Sequence, residues 1–199
     1  MKKRAMKASA GLCFAVAVAG AVAVGCGQQG GSGGGAAGGI QPQVMADALY
    51  SVIAADRAVY TREVVNRLQN DNAIKASEHF KEDKALPLPA QMLRMGSEQS
   101  QKTNPSFTYA LLSVDPINKQ NAPKTEAEKA GLKFVADNPG KNYYGDEKLG
   151  DKTYYTAVYA DKATVEACVK CHNEHADSPR KDWKLGDTMG ALVIRIPKG

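Results

Sequence analysis

TYYTAVYADKATVEACVKCHNEHADSPRKDWKLGDTMGALVIRI, residues 153–196, is the stretch on which the reading of the fold turns. Its two ends, residues 153–159 and 190–196, are rich in β-branched and aromatic residues and read as strands. The two-residue strand period places Leu192, Ile194 and Ile196 on one face of the second. Between them, residues 162–171 read as a short helix ending at Cys168-Val169-Lys170-Cys171-His172. Upstream, Val44, Ala48, Leu49, Val52, Ile53, Val59, Tyr60, Val64 and Leu68 recur mostly at helical spacing until Asn70-Asp71-Asn72. That spacing predicts a long helix over 43–69. Pro87 and Pro89 bracket a turn before a second helix near 89–101, and residues 107–114 read as a strand stopped by Asp115-Pro116. Thr125-Glu126-Ala127-Glu128 is a capping box opening a helix that runs through Phe134 to Asn138-Pro139-Gly140. Helices first, then strands with helices interposed, give an α+β domain with a small, mostly antiparallel sheet.

The cysteines carry the chemistry. Of Cys13, Cys26, Cys168 and Cys171, the first falls in a leader and the second at its end, so the folded domain owns only the last two. With His172 they form C-x-x-C-H, the c-type haem attachment pattern. Two thiols one helical turn apart add to the two vinyl groups, and the adjoining imidazole reaches the iron as proximal ligand. The alternatives for the pair are a tight local disulfide, a thiol redox couple and half of a zinc site. Zinc needs two more ligands, for which only His79 and His175 offer nitrogen.

The leader supports export. Residues 1–25 carry Lys2, Lys3, Arg4 and Lys7 with no acid, then an apolar run over 12–24 ending Ala23-Val24-Gly25-Cys26. This reads as a secretory signal whose end resembles a lipoprotein box, with Cys26 expected as the lipidated residue and Ala23 standing where Leu is usual; ordinary cleavage nearby, leaving a free Cys26, is the alternative. Two or more acyl chains make a stable anchor. Gly27 lacks the acidic residue that commonly retains lipoproteins at the inner membrane, which favours the outer membrane. Residues 26–39 form the lipidated cysteine and a Gly-rich linker, whose thirteen coil residues span roughly 20 Å. Residues 40–199 are left for one domain. Once the leader goes, 22 bases stand against 21 acids, a formal charge of +1 rather than +5. No basic excess remains to hold nucleic acid, and the single apolar run is shorter than the roughly 20 residues a bilayer span needs.

The stretches PLPAQMLRMGSEQ, YALLSVDPINKQNAPKTEAEKAGLKF and residues 154–197 resemble the bacterial family of single-haem periplasmic domains with a PAS-like fold. The similarity covers residues 43–197. It includes Ser178-Pro179, Asp182, Lys184-Leu185-Gly186-Asp187 and Gly190 after the motif. The resemblance implies a PAS-like α+β fold with one covalent haem beside a five-stranded sheet, a long N-terminal helix and flanking helices. It makes Cys168 and Cys171 the thioether residues and His172 the proximal iron ligand. Such proteins are often input modules of membrane sensors and sometimes stand alone. Some members supply a cysteine as sixth ligand, for which no thiol remains here. No kinase, cyclase or chemotaxis segment follows Gly199, so a sensor output is expected from a separate signalling partner.

For the sixth position the candidates are His79, Met92, Met95 and Met189, with water or an open site as the alternative. His175, three residues past His172, is expected on the surface or against a haem propionate. Of Tyr143, Tyr144, Tyr154, Tyr155 and Tyr159, strand alternation allows at most half to touch haem. Lys170, Arg180, Lys181 and Lys184 read as a solvated face or as partners for propionates or a redox protein. Asp182 and Asp187 read as turn and strand-start residues. No Ser-His-Asp order or paired-carboxylate context stands out, so no enzyme is expected. The reading that results is a lipid-anchored monohaem c-type cytochrome passing single electrons between periplasmic or outer-membrane redox partners. The alternative is a haem-based redox or gas sensor acting through another protein.

Overall fold

The computed structural model describes residues 39–198; the leader, Cys26, all but the last residue of the linker, and Gly199 lie outside that range. Helix α1 (Pro42–Val59) opens with proline in its first turn, where the missing N–H has no intrahelical partner to lose. Met45, Leu49, Tyr50 and Ile53 share one face and pack, with buried Ala46, onto the sheet. The helical path then widens into a π-helical segment, Tyr60–Asn66, before α2 (Arg67–Asn70) and a stop at Asn72, whose φ is 53°. The expected single helix is therefore one continuous path with a π insertion. The buried Thr61 sits there, its hydroxyl donating to the Arg57 carbonyl at 2.7 Å.

After the two-residue strands β1 (Ala76–Ser77) and β2 (Leu86–Pro87), which pair in parallel, α3 (Pro89–Thr103) again starts on proline. The Gln91 side chain accepts from the Leu88 N–H at 2.9 Å and satisfies one of its leading donors. The main sheet is antiparallel in the order β3-β6-β5-β4, from β3 (Thr108–Leu112), β4 (Tyr143–Leu149), β5 (Lys152–Lys162) and β6 (Thr188–Lys198). Ala157, Tyr159, Leu192, Ile194 and Ile196 point to the α1 and α3 side. Val158, Val193 and Ala191 point to the other, under Leu132 and Val135 of α4 (Glu126–Asp137). The face expected for Leu192, Ile194 and Ile196 holds.

Four strands form this sheet rather than the five that the resemblance implies. The segment following edge strand β3 contains Pro116 and Pro123, which lack the N–H a ladder requires. It folds instead into a 3-10 turn, Lys119–Asn121, tied to the sheet edge by the Ser113 N–H donating to the Asn121 carbonyl at 2.9 Å. Gly190 lies where β6 passes β3 so closely that a Cβ would fall 2.4 Å from the Leu112 carbonyl oxygen. Strand β4 extends through Leu149, although the sequence pattern marks strand residues there only at Tyr143 and Tyr144. It pairs with β5 through a two-residue turn at Gly150-Asp151, with Gly150 at φ 60°.

On the α4 side Arg195, partly buried, lies between two buried carboxylates, Glu128 at 2.6 Å and Glu147 at 2.7 Å. The Thr156 hydroxyl also donates to Glu147, at 3.0 Å. Glu128 meanwhile completes the expected capping box: its carboxylate accepts from the Thr125 N–H at 3.0 Å and its own N–H donates to the Thr125 hydroxyl at 3.2 Å. One guanidinium thus fastens the start of α4 to β4 and β6.

Candidate functional site

Helix α5 (Glu166–Glu174) begins four residues later than expected, because Lys162 still pairs with Thr188 in the sheet. The chain leaves β5 through Ala163, whose N–H donates to the Asp187 carbonyl and whose carbonyl accepts from the Gly186 N–H, both at 2.9 Å. Asn173 grips the returning loop with both ends of its amide. Its Nδ2 donates to the Trp183 carbonyl at 3.0 Å and its Oδ1 accepts from the Trp183 N–H at 2.9 Å. The Trp183 ring is buried beneath the Arg180 guanidinium, 3.8 Å from the ring centre. Arg180 in turn pairs with Asp182 at 2.6 Å and Asp187 at 3.4 Å. The loop after the motif therefore fixes the pitch of α5. Asp182 and Asp187 hold a turn, and Arg180 is spent on that structure. Lys170, Lys181 and Lys184 are exposed.

Spacings of three and four residues put Cys168, Cys171 and His172 on neighbouring positions of one helix face. All three line a cleft of about 680 Å³. Its floor is sheet and α3, through Ala160, Leu192, Leu88 and Leu93, and another wall is the long N-terminal helix, through Tyr50, Ala54, Arg57, Thr61, Val65 and Gln69. Both thiols are unbridged. Burial, reinforced by the neighbouring Cys168 and by Glu78, pushes the Cys171 thiol above its ordinary value, which is the wrong direction for an activated redox thiolate. Burial holds His172 below the usual imidazole range, with Asp161 opposing and His175 and Arg57 assisting. A neutral imidazole is the form that offers a lone pair to a metal. His172 Nδ1 is buried with no hydrogen-bond partner. Two thiols, one neutral imidazole and a largely apolar cavity fit a haem and its vinyl groups.

The distal candidates fall elsewhere. His79 is 73% exposed beside Glu78, and Met95 is 40% exposed on α3. Met92 and Met189 are half-buried, and none of the four lines the cleft. His175 lies near Glu78, 3.8 Å away, and its Nδ1 accepts from the Asp177 N–H. Neither His79 nor His175 joins the cysteines in the cleft. Of Tyr143, Tyr144, Tyr154, Tyr155 and Tyr159, at most half of which were expected to touch haem, none lines the cleft; Tyr50, from α1, does.

Residues 41–197 match the Tll0287-like family. The chain belongs to that family. A solved structure, that of the cyanobacterial haem protein Tll0287, aligns with a TM-score of 0.50 at 11% identity, covering 80% of this chain and 98% of that one. At that identity the likeness is one of fold, and it places the α+β architecture of this Tll0287-like domain beside a solved example. No curated protein matches the chain.

In the Tll0287-like domain the residues that sequence reasoning missed are those of the N-terminal helix. Arg57 pairs with Asp161 inside the cleft, and its Nε is buried without a partner. The signal was present: Arg57 interrupts the inward row Tyr50, Ile53, Thr61 with a charge.

Proposed function

We propose that this chain is a monohaem c-type cytochrome, lipid-anchored through Cys26 on the periplasmic side of a membrane and carrying single electrons between redox proteins. The observation that carries the reading is the convergence of Cys168, Cys171 and half-buried His172 on one cleft of about 680 Å³. Cys168 and Cys171 would hold the porphyrin through thioether bonds, and His172 would bind the iron. Haem bound there supplies a one-electron couple and, where its sixth position is free, a site for a small diatomic molecule. Leu88, Leu93 and Leu192, which line the cleft, would keep water from a bound porphyrin, while Asn173 and the Trp183 loop hold the backbone of α5, which carries the imidazole. The leader and the linker of residues 26–39 would place the domain within roughly 20 Å of the lipid surface.

A second reading, a haem-based redox or gas sensor acting through a separate partner, is favoured by one observation. Apart from the motif, no Cys, His or Met stands among the described residues that line the cleft. Constant coordination suits electron carriage, whereas an open sixth position suits sensing. Visible spectra of protein matured with a cytochrome c assembly system separate the two. A low-spin spectrum indifferent to CO supports the electron carrier. A high-spin or CO-responsive spectrum transfers the assignment to sensing, and absence of covalent haem removes both.

A further inference from the structure

Four tyrosines form a file that begins at the cleft and ends at the exterior. Tyr50 lines the cleft and stacks on Tyr159, with ring centres 4.0 Å apart and planes 7° from parallel. Tyr159, fully buried, meets Tyr144 edge-on at 6.2 Å, and Tyr144 lies 6.1 Å from Tyr155. The Tyr155 hydroxyl reaches Gln43 at an exposed contact, 3.3 Å away. In the middle of the file one carboxylate oxygen, Asp47 Oδ1, accepts from both Tyr159 (2.7 Å) and Tyr144 (2.8 Å).

Packing alone asks for aromatic area, which phenylalanine provides without hydroxyls to satisfy. Four phenols in file, the middle two bonded to one carboxylate, supply something more: one-electron donors in near contact, with a proton acceptor at the two inner members. Electronic coupling falls steeply with the gap between rings, so contacts this short favour stepwise transfer. A buried phenol that lost an electron while keeping its proton would be an unpaired cation in a low-dielectric core, which is costly. Asp47 removes that cost by taking the proton along an existing hydrogen bond.

Building on the haem reading above, we propose that Tyr50, Tyr159, Tyr144 and Tyr155 form a redox-active path, with Asp47 as its proton acceptor, that draws oxidising equivalents from a peroxide-treated haem out to the surface. The net step balances as one hydrogen peroxide and two phenols giving two water molecules and two phenoxyl radicals. The O–O bond and two phenolic O–H bonds break, the peroxide oxygens gain the hydrogens, and the iron returns to its starting state. Burial, then the hydrogen bond to Asp47, holds the Tyr159 phenol far above its ordinary value, so the donor is the neutral phenol and loss of its electron and proton go together.

The test uses the full, matured chain, with covalent haem first verified by intact mass. Hydrogen peroxide is added, samples are freeze-quenched for electron paramagnetic resonance, and a nitroso spin trap marks radical-bearing peptides. A tyrosyl signal is expected, with adducts on the peptides of Tyr144 and Tyr155. Tyr159→Phe keeps the stacked ring and the haem spectrum but loses those distal adducts. The more accessible Tyr144→Phe removes the Tyr155 adduct, and Asp47→Asn lowers the radical yield with the haem spectrum unchanged. Haem-loaded protein that gives no tyrosyl radical, or distal adducts indifferent to Tyr159→Phe, overturns the path alone. Protein without covalent haem overturns the haem reading and the path with it.

Discussion

The two walls of the cleft are built by opposite means. The α5 wall is short, closed by a loop that follows it at once, and held by local bonds: Asn173 to the Trp183 backbone, Arg180 to Asp182 and Asp187. The N-terminal wall is long and held by distant contacts, Arg57 to Asp161 and Asp47 to Tyr144 and Tyr159, across about a hundred residues of sequence. The first wall carries Cys168, Cys171 and His172 within five consecutive residues. The second decides what stands across from it. On the proposed reading, the motif wall would fix the attachment while the facing helix would set the polarity across from it.

That contrast makes predictions for each wall. The largest effect is expected from the double variant Cys168→Ala, Cys171→Ala, which abolishes covalent haem in matured protein; intact mass reads the loss directly. Changing the other wall, by Arg57→Leu together with Asp161→Asn, leaves the attached haem in place. It alters the visible spectrum and the response to CO, and loss of attachment in this pair would erase the distinction between the walls.

Away from the cleft, Arg195→Met leaves Glu128 and Glu147 buried without their cation and should cost about 3–5 kcal/mol, measured by urea unfolding. Asn173→Ala strips two hydrogen bonds from the Trp183 backbone and should cost about 1–3 kcal/mol, with haem incorporation reduced but not abolished. The smallest effect concerns acid. Burial alone would raise Glu147, but hydrogen bonds from Arg195 and its neighbours leave the carboxyl below its ordinary value. A folded-state value below the unfolded one contributes stability that is full above the ordinary carboxylate range and is lost as pH falls from there through the lower folded value. The unfolding midpoint should therefore drop on acidification, and Glu147→Gln should start lower and slope less.

The sequence made the attachment wall legible because its information is local. C-x-x-C-H needs no tertiary partner to be recognised, and the Thr125–Glu128 box and the alternation of Leu192, Ile194 and Ile196 are likewise short-range patterns. The misses share another character. Strand β4 has a polar middle, Gly145-Asp146-Glu147-Lys148, that hides its alternation, although Gly150-Asp151 before the next strand was a hairpin signal. The start of α5 moved because pairing of Lys162 with Thr188 overrode helical spacing. Absence of the fifth strand follows from Pro116 and Pro123, both visible in the sequence. The π insertion at Tyr60–Asn66 depends on packing that no spacing rule encodes, whereas the charge of Arg57 within the inward row Tyr50, Ile53, Thr61 stood in the sequence.

The most direct measurement is peptide mapping by mass spectrometry of the chain matured with a cytochrome c assembly system. The account predicts one haem on the peptide containing Cys168, Cys171 and His172, with no free thiol on it. Recovery of that peptide without haem, as a dithiol or an internal disulfide, would contradict the assignment of the cleft.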